Sequence, residues 1–402
     1  MKLLETNKNV IFGNTICLFA FTISMWNNLN TITVYPIILS WLLLNNWNEK
    51  LQLLRQNKFP LLVLTALYLL FLSNFLFSDN FEKSLSIAIK ALPLIVFSLI
   101  FLSTPIKYYK VGKILTSLIA GVVVMMFICW GRIFLDILSK RDPIDQSTYF
   151  FEWIYAGFNL VKPFNAHPSY IGVLVVLSII ILMSYKEFEN FRKEKFLYRF
   201  LLAIMFFFTL QTSSRISLLA LLIYLSYHFF KSYSKKSIIQ YVSLLLILII
   251  ASFKFDYLYN KLTSVLKNDG SVVIDRWPRW VAILQENNFW GNKWIGVGKE
   301  KSQFIYNEAY FNNGFLQALN ENYNAHNQYL DFFVSNGIIG LLVFIIALFY
   351  FFIKTYKSLL PVCFILIVMI FCINETIFGR SSGLIFFSFF YTFFYINFRN
   401  NA

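Results

Sequence analysis

Apolar runs long enough to cross a lipid bilayer recur along nearly the whole of this 402-residue chain. The hydrocarbon core of a bilayer is about 30 Å thick, and a helix of about 20 apolar residues crosses it. Hydrophobic residues make up 58% of the chain and charged residues only 14%, whereas a soluble domain carries roughly 25% charged residues. The sequence therefore predicts an all-α polytopic membrane protein.

These runs predict twelve transmembrane helices in a single membrane domain that covers residues 1–402. Their approximate ranges are 11–27, 31–47, 60–77, 85–104, 114–138, 168–185, 197–211, 214–230, 238–253, 327–353, 359–375 and 381–398. With the N-terminus inside, nineteen Lys and Arg residues fall in the short inside segments and six in the short outside segments. Because short cytoplasmic loops are enriched in Lys and Arg, both termini are expected to be cytoplasmic. This asymmetry accounts for the net charge of +15, so no nucleic-acid partner is implied.

The longest polar segment, residues 254–326, lies outside in this topology. Loops of this length are usually functional or disordered, and the many Trp and Tyr residues favour an ordered loop. Within it we expect a short helix at 276–288, capped by Asp275 and lying along the outer membrane surface with its tryptophans toward lipid. The apolar stripe of this helix comprises Trp277, Trp280, Val281 and Leu284.

Polar side chains gather at the outward N-terminal ends of four predicted helices. They are Arg215 at span eight, His326 and Asn327 at span ten, His167 at span six and Arg380 at span twelve. The unpaired N–H groups and the dipole of a helix favour anions at its N-terminal end. The four ends together predict a binding site for a phosphate-rich ligand.

Arg215 lies in the first turn of a predicted transmembrane helix. An arginine at mid-membrane costs about 2.5–3.5 kcal/mol on insertion scales, and less near the interface. A cation at a helix N-terminus also opposes the dipole, so an anionic partner is expected. The alternative is an interfacial arginine that extends to lipid headgroups.

His326 is one of three histidines, and it lies where the long loop meets an apolar helix. If Asn324 is the N-cap, the positive helix end and nearby arginines favour a neutral imidazole. A neutral imidazole can accept a proton as a general base, and Asn327 and Asp331 would orient the ring. The alternative is an ordinary interfacial histidine.

Several other polar residues are open to two interpretations. Arg276 and Arg279 would bind phosphate, because a guanidinium can make two hydrogen bonds to phosphate oxygens, or they are solvated loop residues. His167 would bind substrate or simply cap span six. Arg380 would bind substrate or simply pair with Glu375 in the same outer loop.

Two glycine pairs flank the candidate histidine in sequence. Gly296 and Gly298 would let the backbone approach a ligand, or they form a turn. Gly337 and Gly340 lie in an apolar span, where glycines permit close helix packing.

The sequence lacks the motifs that other kinds of enzyme chemistry require. The chain has no P-loop, no metal-ligand spacing and no Ser-His-Asp order, so neither a metal nor a cofactor is expected. An ion-coupled transporter would need charged residues deep within several spans. Lys90, Arg132 and Asp136 are the few candidates, which weakens a transporter interpretation.

The chain resembles the O-antigen ligase and polymerase superfamily of bacterial inner-membrane glycosyltransferases. Three blocks within about residues 200–345 carry the resemblance, and the layout of twelve spans with one long outer loop extends it. The blocks are Thr212-Ser213-Ser214-Arg215, then Asp275-Arg276-Trp277-Pro278-Arg279-Trp280 with Gly296-Val297-Gly298, and then Ala325-His326-Asn327-Gln328-Tyr329-Leu330 through Gly340. The third block is the most specific.

The resemblance implies transfer of a glycan from an undecaprenyl-diphosphate carrier to an acceptor hydroxyl on the periplasmic face of the inner membrane. It places Arg215 and Arg276 on the carrier diphosphate and His326 beside the acceptor. The resemblance also implies a metal-independent reaction, in which fixed arginines and helix ends stabilise the leaving diphosphate. Direct displacement would invert the anomeric centre.

Lipid A-core is the expected acceptor, so the chain would act in lipopolysaccharide biosynthesis. A repeat-unit polymerase, a protein O-oligosaccharyltransferase and, in another class, a flippase are the alternatives. The sequence departs from the family pattern at Asn292-Lys293-Trp294-Ile295, where a Pro-containing stretch is expected.

Overall fold

A computed structural model describes residues 2–25, 28–44, 47–139, 150, 153–231, 239, 276–286 and 292–399. All regular secondary structure in these ranges is helical. The α-helices are α1 (Lys2–Thr22), α2 (Asn28–Leu43), α3 (Trp47–Gln56), α4 (Lys58–Leu72), α5 (Phe81–Ala91), α6 (Pro93–Leu102), α7 (Val111–Ser139), α8 (Pro168–Ser184), α9 (Glu189–Lys193), α10 (Lys195–Gln211), α11 (Arg215–Lys231), α12 (Arg276–Gln285), α13 (Ser302–Asn312), α14 (Leu316–Asn320), α15 (Gln328–Thr355), α16 (Leu359–Asn374) and α17 (Ser381–Phe398).

Several of these helices have the length and composition of membrane spans, which confirms a helical polytopic membrane protein. Within the described ranges, six helical segments are long and apolar enough to cross a membrane, and a bent pair formed by α8 and the segment Lys186–Lys193 would make a seventh. Three shorter apolar helices lie at Leu29–Leu43, Arg215–Phe230 and Leu359–Asn374. The predicted total of twelve therefore stays a prediction, and predicted span 238–253 lies outside the described residues.

The chain divides into two compact units. The first comprises Met1–Phe12, Ile38–Tyr109 and Ile274–Ala402, and the second comprises Gly13–Ile37 and Lys110–Val273. His326, Arg276, Arg279, Asn327 and Arg380 belong to the first unit, whereas Arg215 and His167 belong to the second. The single membrane domain expected from the sequence stays a prediction.

The core of the first unit is built around α17, which packs against α6 and α16. The helix is buried on nearly all sides, and its phenylalanines interlock with those of its neighbours. The Phe389 ring lies 5.6 Å from both Phe97 and Phe101, and the Phe394 ring lies 5.4 Å from Phe364. Such offset and edge-on pairs add to the energy of apolar burial.

Helix α15 is broken at Gly337, whose backbone is left-handed with φ +67°. The break separates the helical carbonyls of Val334 and Ser335 from their usual partners four residues later. Backbone N–H groups of the loop replace those partners: Val297 donates to Val334 over 3.1 Å, and Gly298 donates to Ser335 over 2.8 Å.

The other side of the break is closed in the same way. Ile338 N–H donates to the Lys293 carbonyl over 2.9 Å, and Ile339 N–H donates to the Trp294 carbonyl over 3.2 Å. Residues 293–298 therefore satisfy all four backbone groups that the break leaves open. This pairing makes an irregular backbone tolerable inside an apolar span, where unpaired polar groups are costly.

The Gly-Val-Gly segment thus approaches the backbone of α15, and its approach to a ligand stays a prediction. A side chain at Gly296 would overlap the backbone of Ser335 and Asn336, and one at Gly337 would overlap Trp294. The turn before it is closed by the Asn292 carbonyl, which accepts from the N–H group of Gly296 over 2.6 Å. This turn forms without the proline that the family pattern leads one to expect.

The described part of the long loop has a core of its own. Helix α12 packs on α13, and α13 packs on α14. Tyr306, Tyr310 and Ile283 are completely or almost completely buried in this cluster. The helix predicted at 276–288 is found at Arg276–Gln285, and its proposed cap, Asp275, lies outside the described residues. Trp277 is 68% exposed, whereas Trp280, the other tryptophan predicted to face lipid, packs against the loop core and donates to the Ala325 carbonyl over 2.7 Å.

Helix α8 is the centre of the second unit and packs against α7, α10 and α11. Gly172 allows this close approach, because a side chain there would overlap the Ser217 hydroxyl of α11. Gln211, at the end of α10, accepts a hydrogen bond from the Trp130 indole over 2.8 Å and donates to the Tyr155 carbonyl over 3.2 Å. These bonds fix the segment that precedes Arg215.

Candidate active site

His326 lies one residue before the N-cap of α15. Asn327 is the cap, and its side chain accepts from the N–H group of Leu330 over 3.0 Å. The prediction that Asn324 caps this helix is therefore wrong, because the chain reaches helical geometry three residues later. Asn324 instead accepts from the His326 N–H group over 2.8 Å and stabilises the left-handed backbone of His326, which has φ +45°.

The His326 ring contacts a carboxylate. Its Nδ1 atom lies 3.4 Å from Oε2 of Glu375, the residue that follows α16. The Glu375 side chain is 9% exposed and that of His326 is 24% exposed. A buried carboxylate needs polar partners, and the imidazole supplies one while keeping part of its own surface open.

Arg276 contacts the same carboxylate through its other oxygen. The Arg276 guanidinium lies 3.5 Å from Glu375 Oε1 and also donates to the backbone carbonyl of Asn374. Arg276 is the first residue of α12, where a cation opposes the helix dipole and calls for an anionic neighbour. Glu375 is that neighbour. The ionic contacts seen for Glu375 are with Arg276 and His326, and not with Arg380, the partner considered from the sequence.

Aromatic rings complete the surroundings of the histidine. The Tyr323 ring meets His326 edge-on at 5.5 Å between centroids. The Arg279 guanidinium lies 5.3 Å from the same tyrosine ring and 5.9 Å from Tyr310. Arg279 is only 6% exposed, which rules out a solvated loop residue. Its charge is held against aromatic faces, where a guanidinium is favoured.

Asp331 and Asn327 do not orient His326, contrary to expectation. Asn327 is occupied by the helix cap, and Asp331 is buried with other partners. Lys299 binds the Asp331 carboxylate, and the Tyr306 hydroxyl donates to it over 3.0 Å. Burial, followed by the charge of Asp331, raises the pKa of Tyr306 well above its ordinary value, so this hydroxyl stays a donor.

Arg215 and His167 lie in the second unit. Arg215 is the first residue of α11 and is exposed, and the preceding Ser214 hydroxyl accepts from the N–H group of Ser217 over 3.3 Å in the manner of an N-cap. His167 caps α8, because its Nδ1 accepts from the N–H group of Ser169 over 3.3 Å. The capping role considered for His167 is confirmed, and its role toward substrate stays a prediction.

Arg380 is exposed at the start of α17 in the first unit. No ion pair of Arg380 is found with the described residues. Its proposed contact with substrate stays a prediction, as do the substrate roles of Arg279 and Asn327.

The structure brings one further residue to the candidate site, where the sequence did not predict it. Glu375 is the partner of both His326 and Arg276, and sequence reasoning offered it only as a partner for Arg380. One signal was available: Glu375 is the only acidic residue after Asp331, and it lies between two apolar spans. A carboxylate kept in such surroundings indicates a function or an ionic partner.

The first unit thus presents a buried carboxylate that contacts both a histidine and an arginine, an arrangement suited to proton transfer. Residues 200–345 match the family model for O-antigen ligase. The match covers all three sequence blocks and confirms the resemblance to the O-antigen ligase and polymerase superfamily. It supports a glycosyltransferase of this general type. A comparison with curated proteins gives no match.

Proposed function

We propose that this protein transfers a glycan from an undecaprenyl-diphosphate carrier to an acceptor hydroxyl on the periplasmic face of the bacterial inner membrane. Lipid A-core is the proposed acceptor, and ligation of O-antigen is the proposed reaction. The family match supports the reaction class. The contact of Glu375 with both His326 and Arg276 is the observation that carries the mechanism.

Glu375 determines which nitrogen of His326 can act as a base. A carboxylate only accepts hydrogen bonds, so Nδ1 of the neutral ring carries the proton and donates to Glu375. Nε2 then has a free lone pair, and it can take the proton from an acceptor hydroxyl. The carboxylate also stabilises the imidazolium that forms. This arrangement supports general-base catalysis by His326.

The proposed reaction is a direct displacement. The acceptor oxygen attacks the anomeric carbon, the bond from that carbon to the carrier diphosphate breaks, and the hydroxyl proton passes to His326. The departing diphosphate gains negative charge, which fixed cations stabilise. Arg276 is suited to this task because 31% of its side chain is exposed while its Glu375 contact fixes its position. The resemblance implies a diphosphate contact for Arg215 as well.

The first experiment is a transfer assay in liposomes with EDTA present. The donor is an undecaprenyl-diphosphate-linked glycan and the acceptor is rough lipopolysaccharide. His326→Ala should abolish transfer, whereas His228→Ala should retain it, because His228 packs on Tyr224 and Phe229 in α11 and is no part of the proposed site. Arg276→Ala and Arg215→Ala are each expected to lower the rate.

Each outcome of this assay discriminates among functions. Transfer that depends on His326 supports the ligase. Elongation of the lipid-linked glycan without transfer to lipopolysaccharide would replace the ligase by the repeat-unit polymerase. Folded protein that makes neither product would contradict the proposed enzyme and point to transport.

A further inference from the structure

A second polar network lies beside the proposed site. Asp331 is 2% exposed, and its carboxylate binds Lys299, the Tyr306 hydroxyl and the Gln328 amide. These residues come from three places: the segment after the Gly-Val-Gly turn, α13 and the first turn of α15. Replacing such a buried ion pair by apolar residues is often neutral or stabilising. The polar network therefore needs an explanation beyond stability.

Gln328 links this network to the proposed site. It is completely buried, and its Nε2 donates to Asp331 over 3.1 Å. Because a carboxylate only accepts, this bond fixes the orientation of the amide. The Oε1 atom is thereby directed to the backbone N–H group of Phe378, from which it accepts over 2.8 Å.

Phe378 belongs to the short turn that follows Glu375. The turn is closed by the Gly379 N–H group, which donates to the Thr376 carbonyl over 3.1 Å. The Phe378 ring packs 4.8 Å from Phe387 of α17. The Gln328 bond and this packing fix the turn from two sides, so they set the position at which Glu375 meets His326.

We propose that Lys299, Asp331 and Gln328 are positioning residues for the proposed transfer reaction. Lys299 holds Asp331, Asp331 orients Gln328, and Gln328 holds the turn that places Glu375 against His326. This inference rests on the proposed function for its kinetic consequence, but the geometric relay can be tested without activity. A misplacement of about 1 Å in a reacting group can cost about 100-fold in rate.

The kinetic test is a double-mutant cycle. Gln328→Leu should lower kcat by about 10- to 100-fold with little change in the donor KM, and it should shift the pH profile of kcat toward that of Glu375→Ala. In Glu375→Ala, adding Gln328→Leu should cause little further loss, because residues that act through one another are not additive. Gln317→Leu, an exposed glutamine in α14, is the matched control.

The Lys299 end of the network provides a second set of variants in case Gln328→Leu does not fold. The Lys299 side chain is 20% exposed, so its replacement is better tolerated. Lys299→Arg should retain kcat because it keeps the cation beside Asp331, whereas Lys299→Met should lower it. Lys301→Met removes a nearby lysine whose partner, Asp79, is fully exposed, and it should leave kcat unchanged.

A spectroscopic test is independent of transfer. The chain has three histidines, so His167→Asn with His228→Gln, and a purification tag without histidine, leaves His326 as the sole signal in ¹⁵N-histidine NMR. Gln328→Leu should move the His326 ring shifts to those of Glu375→Ala. Unchanged ring shifts in Gln328→Leu, or kinetic losses that simply add in the cycle, would overturn the positioning network. If either of these results is found while Glu375→Ala still loses transfer, the proposed function remains intact and only the positioning network is refuted. Full activity of His326→Ala would instead refute the proposed function and leave the positioning network untouched.

Discussion

Glu375 joins the two residues that the family resemblance places at the reacting groups. Its Oε2 atom faces the His326 ring and its Oε1 atom faces Arg276, each within 3.5 Å. The histidine is held before the helix cap by a left-handed turn. At the residue scale, one carboxylate contacts both an imidazole and a guanidinium, and in the proposed mechanism it selects the tautomer of that imidazole.

Glu375→Gln tests this selection. The oxygen of the substituted amide should accept from Arg276, so its NH₂ group should face Nδ1 of His326 as a donor. That contact favours the tautomer that carries its proton on Nε2. In this tautomer Nε2 has no free lone pair, so it cannot take the proton of the acceptor hydroxyl. We expect kcat to fall by about 10²- to 10⁴-fold with a nearly unchanged donor KM, measured by initial rates. A variant with wild-type kcat would exclude Glu375 from the mechanism.

Glu300 gives a prediction for stability against pH. The Ser78 hydroxyl and the Lys83 ammonium, which lies 3.3 Å away, hold the pKa of Glu300 below its ordinary value near 4.5. A lowered pKa in the folded state stabilises the protein above pH 4.5, and this stabilisation is lost as the pH falls through the folded-state pKa. The melting temperature of Glu300→Gln should therefore lie below that of wild type at pH 7, and the gap should narrow below about pH 4.5.

Thermal unfolding in detergent at several pH values measures this gap. Glu82→Gln, which removes an exposed carboxylate at the start of α5, is the control for a loss of surface charge. A gap between Glu300→Gln and wild type that is the same at about pH 4 and about pH 7 would contradict the assigned contacts.

At the scale of elements, the break in α15 and the segment 293–298 form one hydrogen-bonded motif. The break at Gly337 opens four backbone groups, and the loop segment pairs with all of them. The same segment continues to Lys299, which holds Asp331 on α15. The first two turns of α15 are therefore fixed by the loop as well as by the helix itself.

Gly337→Ala should destabilise the protein more than Gly314→Ala. Both glycines have positive φ, +67° and +72°, which is unfavourable for other residues, and at Gly337 ψ is −164°, a region that is essentially restricted to glycine. Only at Gly337 would the new methyl group also overlap backbone, that of Trp294, and such overpacking costs about 1–3 kcal/mol more. Melting temperatures of the two variants make the comparison. Equal losses of melting temperature in the two variants would contradict the close contact between residues 293–298 and Gly337.

At the scale of the whole molecule, the distribution of Lys and Arg predicts which loops face the periplasm. The long loop, which carries α12, α13 and α14, is predicted to lie outside. The last turn of α15 and the segment that follows it, with Lys354 and Lys357, are predicted to lie inside. Helix α15, one of the membrane-span candidates, separates the two.

Cysteine labelling tests this topology. The four native cysteines are free and would first be replaced by serine. Phe311→Cys in α13 and Tyr356→Cys after α15 introduce thiols at side chains that are 69% and 56% exposed. A membrane-impermeant maleimide added to cells with a permeabilised outer membrane should label only Phe311→Cys, and lysis should expose Tyr356→Cys. The reverse pattern would invert the predicted orientation.

From the sequence alone come the helical membrane class, the ordered helix at the start of the described loop and the family resemblance of the block around His326. These follow from local signals: the length of apolar runs, the helical spacing of apolar residues and a motif within one short block. The resemblance over residues 200–345 was also readable from the chain and agrees with the family match.

The contacts between site residues that are distant in sequence follow from the tertiary structure alone. Glu375 lies 49 residues from His326 and 99 from Arg276 along the chain, and no local pattern joins positions so far apart. Gly296 and Gly298 looked like a turn or a ligand loop, but their role depends on a break in a helix about 40 residues later. The N-cap of α15 is Asn327 rather than the expected Asn324. Both are asparagines, so side-chain bonds and packing, rather than propensity, set where that helix begins.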